Sequence, residues 1–204
     1  KDMPNFGLVQ AAGPDNTALL DLDADGKPEL LIADKNFVRA CKYDAKSGWR
    51  GVRQVTVSDP GTELAGLTVL TSGGTSTLVA ADRGNSRLIF IDPVNATVSS
   101  RLRLLGFAPS TIYAGAFAGD SQPGILALSD SAFAVTRLAG QRYKLDQFAA
   151  YRSEGRDRSE YDLEFGDVNG DGFLDAAILD AGEQMCSVLT FTAQRKVRLA
   201  TEFE

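Results

Sequence analysis

Short apolar runs alternate with polar, turn-forming clusters along the whole chain, and no helical period of 3.6 residues persists anywhere. Each run has the length of a strand, and the breaks hold Asp, Asn, Gly and Ser, the residues that turns select. The pattern predicts strands at 17–22, 29–33, 37–43 and 49–57, then at 66–71, 77–81, 87–92 and 98–104. It continues with 112–117, 125–129, 132–138 and 142–151, and closes with 162–166, 176–179, 186–191 and 195–203.

An aspartate closes the second strand of every group of four. These are Asp34, Asp82, Asp130 and Asp180, spaced 48, 48 and 50 residues apart. A fixed period of this size marks a repeat architecture. Within each unit the first two strands are the most apolar and the last is the most charged, which predicts buried inner strands and an outer strand in solvent. Four-stranded units of about 40–50 residues are the signature of propeller blades. The expected fold is all-β: a β-propeller of four-stranded antiparallel blades, four in this chain, at about 12–58, 59–106, 107–152 and 153–204. The chain is read as a single propeller domain or as part of a larger propeller. The leading segment Phe6–Ala12 is read as the outer strand of a preceding blade.

One nine-residue pattern, D-x-[DN]-x-D-G-x-x-[DE], occurs at 21–29 and again at 167–175. It sets side-chain oxygens at the first, third, fifth and ninth positions of a tight loop, a hard-oxygen donor set suited to Ca²⁺. An EF-hand loop begins the same way but needs a glutamate at its twelfth position. Here that position holds Ile32 and Ile178, both inside predicted strands. Asp, Asn and Gly are also ordinary turn residues. The same ligand types at the same offsets, twice, exceed what a turn requires.

The stretches 20–33 (LDLDADGKPELLIA) and 166–179 (GDVNGDGFLDAAIL) closely resemble the FG-GAP/VCBS repeat of integrin α-subunit propellers and many secreted bacterial proteins. The resemblance implies a β-propeller with Ca²⁺ in the loop between the first and second strands of a blade. Carried over by position, it implies one site of Asp21, Asp23, Asp25 and Glu29 with the Lys27 carbonyl. It implies a second of Asp167, Asn169, Asp171 and Asp175 with the Phe173 carbonyl. Gly26 and Gly172 fall at the sharp bend, where a positive φ costs glycine least. The middle units have lost the ligands: Val69, Thr71, Gly73 and Thr77 stand in unit two, and Ala116, Ala118, Asp120 and Gly124 in unit three. Two Ca²⁺ sites are therefore expected, in a structural role, because clustered carboxylates repel one another without a cation.

The same blade serves adhesion proteins, lectins and polysaccharide lyases. The expected function is a non-enzymatic calcium-binding module that presents loops to a protein or carbohydrate partner. The alternative is a Ca²⁺-dependent polysaccharide lyase or hydrolase. Composition narrows the field. The 204 residues contain no histidine, which removes the commonest general base and most zinc and iron sites. With 21 basic against 27 acidic residues and no basic stripe, nucleic acid is not an expected partner. No apolar run approaches the roughly 20 residues of a membrane-spanning helix. The start, Lys1-Asp-Met-Pro4, is neither an initiator methionine nor a signal peptide, so the chain is read as a mature or excised piece. Millimolar external Ca²⁺ points to an extracellular or periplasmic location, and an open array of blades would associate with itself or with further blades to close a ring. The loops 82–87 and 153–161 are polar connectors that could hold a ligand. Cys41 and Cys186 are read as buried free thiols at similar offsets in their units.

Overall fold

The computed structural model describes residues 3–117, 123–129, 132–139, 142–150, 161–180, 184–191 and 197–203. All sixteen expected strands are present, with ends displaced by no more than two residues. They are β1 (Thr17–Leu20), β2 (Glu29–Asp34), β3 (Phe37–Asp44) and β4 (Gly48–Thr56), then β5 (Leu64–Ser72), β6 (Thr75–Asp82), β7 (Arg87–Asp92) and β8 (Thr97–Arg103). The series continues with β9 (Thr111–Gly115), β10 (Gly124–Leu128), β11 (Ala132–Ala139) and β12 (Arg142–Ala150), and ends with β13 (Tyr161–Gly166), β14 (Asp175–Asp180), β15 (Met185–Phe191) and β16 (Val197–Phe203). Each consecutive four forms its own antiparallel sheet in simple sequential order. The connections are short because neighbouring antiparallel strands need only a hairpin.

Each sheet carries a register shift in its outer hairpin, at Ala40/Cys41, Phe90/Ile91, Val135/Thr136 and Val188/Leu189. In all four the extra residue lies on the outer strand: Val52, Ser99, Asp146 and Ala200. A bulge of this kind increases the local right-handed twist. Ser99 shows how the interruption is accommodated, with its hydroxyl donating to the Phe90 carbonyl at 3.0 Å.

The chain divides into two compact units, Lys1–Ala114 with Ala127–Asp130, and Gly115–Leu126 with Ser131–Glu204. In the first, the facing sides of β2–β3 and β6–β7 form one apolar core that includes Leu31, Val38, Leu78, Ile89 and Ile91. Burying each such side chain contributes about 1.5–3 kcal/mol. The backbone ties the two sheets as well: Leu64 donates to the Lys35 carbonyl at 2.7 Å and Leu67 to the Asp15 carbonyl at 2.9 Å. In the second unit, the ring of Phe117 meets Phe165 (centroids 5.4 Å apart) and Phe191 (5.8 Å).

Three expectations are corrected. The first strand is not among the most buried: β1 is only half-buried, and the protected pairs are β2–β3 and β6–β7. Leu19 of β1 is exposed, whereas β5, the first strand of the second sheet, buries Leu64, Leu67 and Leu70. The segment 6–12 is not a strand. It makes one 3-10 turn (Phe6–Leu8) after Asn5, which sits at φ 58°. The segment folds back on the first sheet, with Trp49 donating to the Pro4 carbonyl at 3.2 Å and Val9 buried against Ile32 and Cys41. Finally, Cys41 pairs with Leu30 and Cys186 with Leu179, so the two cysteines hold different register positions. Both are free, but Cys186 is only half-buried, whereas burial pushes the Cys41 thiol up from its ordinary pKa.

The closing aspartates differ in role. Asp82 is fully buried. It accepts from the Glu63 amide (3.0 Å), the Asn85 side-chain amide (3.1 Å) and Arg87 Nε (2.7 Å). Arg87 also lies 3.2 Å from Asp59, whose carboxyl the Arg101 guanidinium holds below the usual range. The 82–87 loop therefore spends its polar groups internally. Asp34 is half-buried, and Asp130 lies outside the described residues. Removing one partner of a buried pair costs about 3–5 kcal/mol, so Asp82→Ala is expected to lower the urea midpoint sharply. Asp34→Ala, at a half-exposed position, is expected to cost about 0.5 kcal/mol or less.

Candidate metal centre

The two acidic loops join equivalent strands, β1 to β2 and β13 to β14. Their backbones fold alike. The first-position carboxylate collects loop amides: Asp21 accepts from Asp25 (3.2 Å) and Gly26 (2.8 Å), and Asp167 from Asp171 (3.0 Å) and Gly172 (2.9 Å). The fifth-position carboxylate closes a smaller turn, Asp25 accepting from Lys27 (2.9 Å) and Asp171 from Phe173 (3.0 Å). The ninth-position carboxylate reaches back to the second residue, Glu29 accepting from Leu22 (2.7 Å) and Asp175 from Val168 (3.1 Å). Positive φ occurs at the sixth position, Gly26 (79°) and Gly172 (86°), and also at the fourth, Ala24 (57°) and Gly170 (75°). The left-handed region is costly for alanine, and its occupation by Ala24 shows how firmly these hydrogen bonds hold the bend.

The loops differ in what stands among their carboxylates. In 21–29, Lys42 of β3 places Nζ 2.8 Å from Asp23, 2.8 Å from Asp25 and 2.7 Å from Glu29. Among the described residues, Asp21, Asp23 and Glu29 are the one acidic trio whose oxygens gather within 4.8 Å of one another. The ammonium touches two of the three, Asp23 and Glu29, and screens charges that would otherwise repel. It also holds the Asp25 carboxyl below the usual range, while the three carboxylates push Lys42 up. Sequence reasoning missed Lys42, although it was legible. The turn after Asp34 pairs Asp34 with Phe37 and Leu30 with Cys41, and one more step sets residue 42 opposite Glu29.

In 167–175 the same step across the sheet, beyond the Ala176–Leu189 pair, reaches Thr190. Among the described residues, no lysine or arginine nitrogen pairs with Asp167, Asp171 or Asp175. Asp175 is fully buried, and its second oxygen accepts from the Phe191 amide at 3.1 Å. Three carboxylates and the Asn169 amide oxygen are an all-oxygen donor set of the chemistry a hard divalent cation takes, and the three carboxylates stand wider apart than the 4.8 Å grouping of the first loop. The 21–29 set fits one poorly, because an ammonium already sits among its ligand arms.

The middle units have no comparable loop in the described residues. β5 and β6 meet in a two-residue turn at Gly73 and Gly74 (φ 57° and 77°), which places Thr71 and Thr77 inside strands. In unit three, Ala118 and Asp120 lie outside the described residues. Gly124, at the ninth position, lies so close to β11 that a Cβ would fall 2.1 Å from the Thr136 carbonyl oxygen. No side chain fits there, whatever its chemistry. Of the 153–161 connector, all but Tyr161 lies outside the described residues. Trp49 packs with its ring 5.3 Å from Tyr43 and its indole N–H directed at Met3 Sδ.

No family model matches the chain, and no curated protein matches its sequence. Solved structures do. A protein from Lactobacillus plantarum superposes with TM-score 0.60 at 15% identity, over 94% of this chain and 66% of that one. An Agrocybe aegerita lectin, described as recognising non-reducing terminal N-acetylglucosamine, gives 0.59 at 10% identity, over 92% and 52%. A putative 6-phosphogluconolactonase from Bacteroides fragilis gives 0.51 at 10% identity, over 91% and 69%. These neighbours are propeller-like, and the four meander sheets repeat the form of their blades. The chain is built of β-propeller blades. It spans about two thirds of the Lactobacillus protein and about half of the lectin.

Asp175→Ala is expected to strand the buried Phe191 amide, at about 1–3 kcal/mol for a buried donor left without a partner, read by urea unfolding. Gly124→Ala is expected to cost about 1–3 kcal/mol through overpacking. Gly51→Ala is its control, since a Cβ there meets nothing within 4 Å.

Proposed function

We propose that this chain is a non-enzymatic, calcium-binding propeller module of the FG-GAP/VCBS kind, in which Ca²⁺ closes a hairpin loop and the blades present other loops to a protein or carbohydrate partner. The observation that carries the reading is the shared cradle of the two acidic loops. Six residues apiece fold the same backbone around side-chain oxygens, in a pattern that turn formation alone does not need. Asp167, Asn169, Asp171 and Asp175, with the Phe173 carbonyl, are the ligands proposed for the 167–175 loop. The ion would neutralise charge and rigidify the hairpin. The lectin among the structural neighbours supports a glycan as one class of partner. Among the described residues no helix is long and apolar enough to cross a membrane. The metal reading favours a calcium-rich setting outside the cytoplasm.

Calcium titration by calorimetry is expected to give saturable binding. At a Ca²⁺ concentration about a hundredfold above Kd, linkage adds about 2.7 kcal/mol of stability. For a chain of this size that raises Tm by roughly 5–10 °C, and EDTA should reverse it. An unchanged Tm together with no heat of binding defeats the calcium reading. A glycan array and a partner screen with the calcium-loaded protein then separate carbohydrate from protein ligands.

A further inference from the structure

We infer that Lys42 is the resident cation of the 21–29 loop, and that the chain takes a single divalent ion, in the 167–175 loop. The inference rests on the calcium reading above and deepens it by making the two loops unequal.

An ammonium has three N–H donors and no acceptor. Lys42 directs these at three different carboxylates, Asp23, Asp25 and Glu29, all within 2.8 Å. Those are three of the four acidic side chains a divalent ion would need. The fourth, Asp21, accepts from the Asp25 and Gly26 amides just as Asp167 accepts from Asp171 and Gly172, so the ammonium is what sets the two loops apart. The lysine is rooted rather than adventitious. It follows buried Cys41 in β3, stands across the sheet from Glu29, and its side chain is 13% exposed. Glu29 itself is 1% exposed, so its charge has little water and the ammonium is its counter-charge. A divalent ion entering this loop must expel the ammonium from between the arms, against mutual repulsion if the lysine stays nearby.

At the corresponding position the other loop has Thr190, which is neutral and short. Four carboxylates with one ammonium and three carboxylates with none carry the same net charge at these positions, so the loops differ in whether a cation already stands among the ligand arms. The 21–29 hairpin is closed by a covalently tethered cation and needs no metal. The 167–175 hairpin has the same shape with its counter-charge left to be supplied from solution.

The test is the Ca²⁺ stoichiometry of the intact chain by calorimetry, with hydrogen exchange as a second readout. Wild type is expected to bind one ion, lost in Asp171→Ala and retained in Asp23→Ala. Lys42→Thr, which copies the residue at 190, is expected to bind two. In wild type, EDTA is expected to release protection of the 168 and 171–173 amides while leaving 22 and 25–27 protected, a result that does not depend on any variant folding. Two ions of similar affinity in wild type, or loss of the single ion through Asp23→Ala instead of Asp171→Ala, overturns the assignment of Lys42 and leaves the calcium reading standing. Absence of binding in wild type and Lys42→Thr alike overturns the calcium reading and this inference with it.

Discussion

The acidic residue that opens the second strand, Glu29 in the first sheet and Asp175 in the fourth, is buried at the point where a crowded loop joins an apolar sheet. Its carboxylate faces two demands. It must satisfy backbone amides of the loop, and its charge must be balanced where water cannot solvate it. Both residues meet the first demand in the same way, by accepting from the second residue of their loop. They meet the second differently. Glu29 has Lys42; Asp175 has a second amide, that of Phe191, and no ammonium or guanidinium partner among the described residues. That carboxylate ties the end of each loop back to its second residue, while the first- and fifth-position carboxylates hold the left-handed bends between.

The sheets behind the loops are governed by a plainer rule. Apolar side chains bury where another layer of the protein faces them. β2, β3, β6 and β7 carry most of the core with Leu64 and Leu67 of the edge strand β5, whereas β1, which is as apolar in sequence, stays half-exposed. The bulge repeated in every outer hairpin belongs to the same economy of shape. Each outer strand holds one residue more than its partner can pair, and the excess becomes twist.

Strand positions and the period were legible because alternation and turn residues are local signals, and the described strands follow them closely. The acidic loops were legible for the same reason: all their ligand candidates lie within nine residues. What escaped was set across the chain rather than along it. The 6–12 segment reads as strand by composition, but Asn5 and the Pro4 carbonyl's contact with Trp49 turn it back onto the first sheet. Asp34 and Asp82 look equivalent by spacing. Asp82 is buried and accepts from the Glu63 amide, nineteen residues earlier, as well as from its neighbour Arg87, whereas Asp34 stays half-exposed. Gly124 looks like a lost ligand, but the nearby Thr136 carbonyl leaves no room for one.

The same distinction decides how far a metal motif can be read. D-x-[DN]-x-D-G-x-x-[DE] describes the donors on one side of a site, and a site is also defined by what faces those donors from the next strand. In this chain the facing residue is a lysine in one copy and a threonine in the other. The motif is silent about both, since they lie thirteen and fifteen residues beyond its end. Drawing the β2–β3 and β14–β15 ladders converts that silence into a prediction about charge, because the residue opposite the ninth position is fixed once the hairpin register is known. A blade whose ladder supplies its own cation can keep the loop fold after losing any need for metal, and a family of such blades can therefore share one loop shape while differing in which copies respond to calcium.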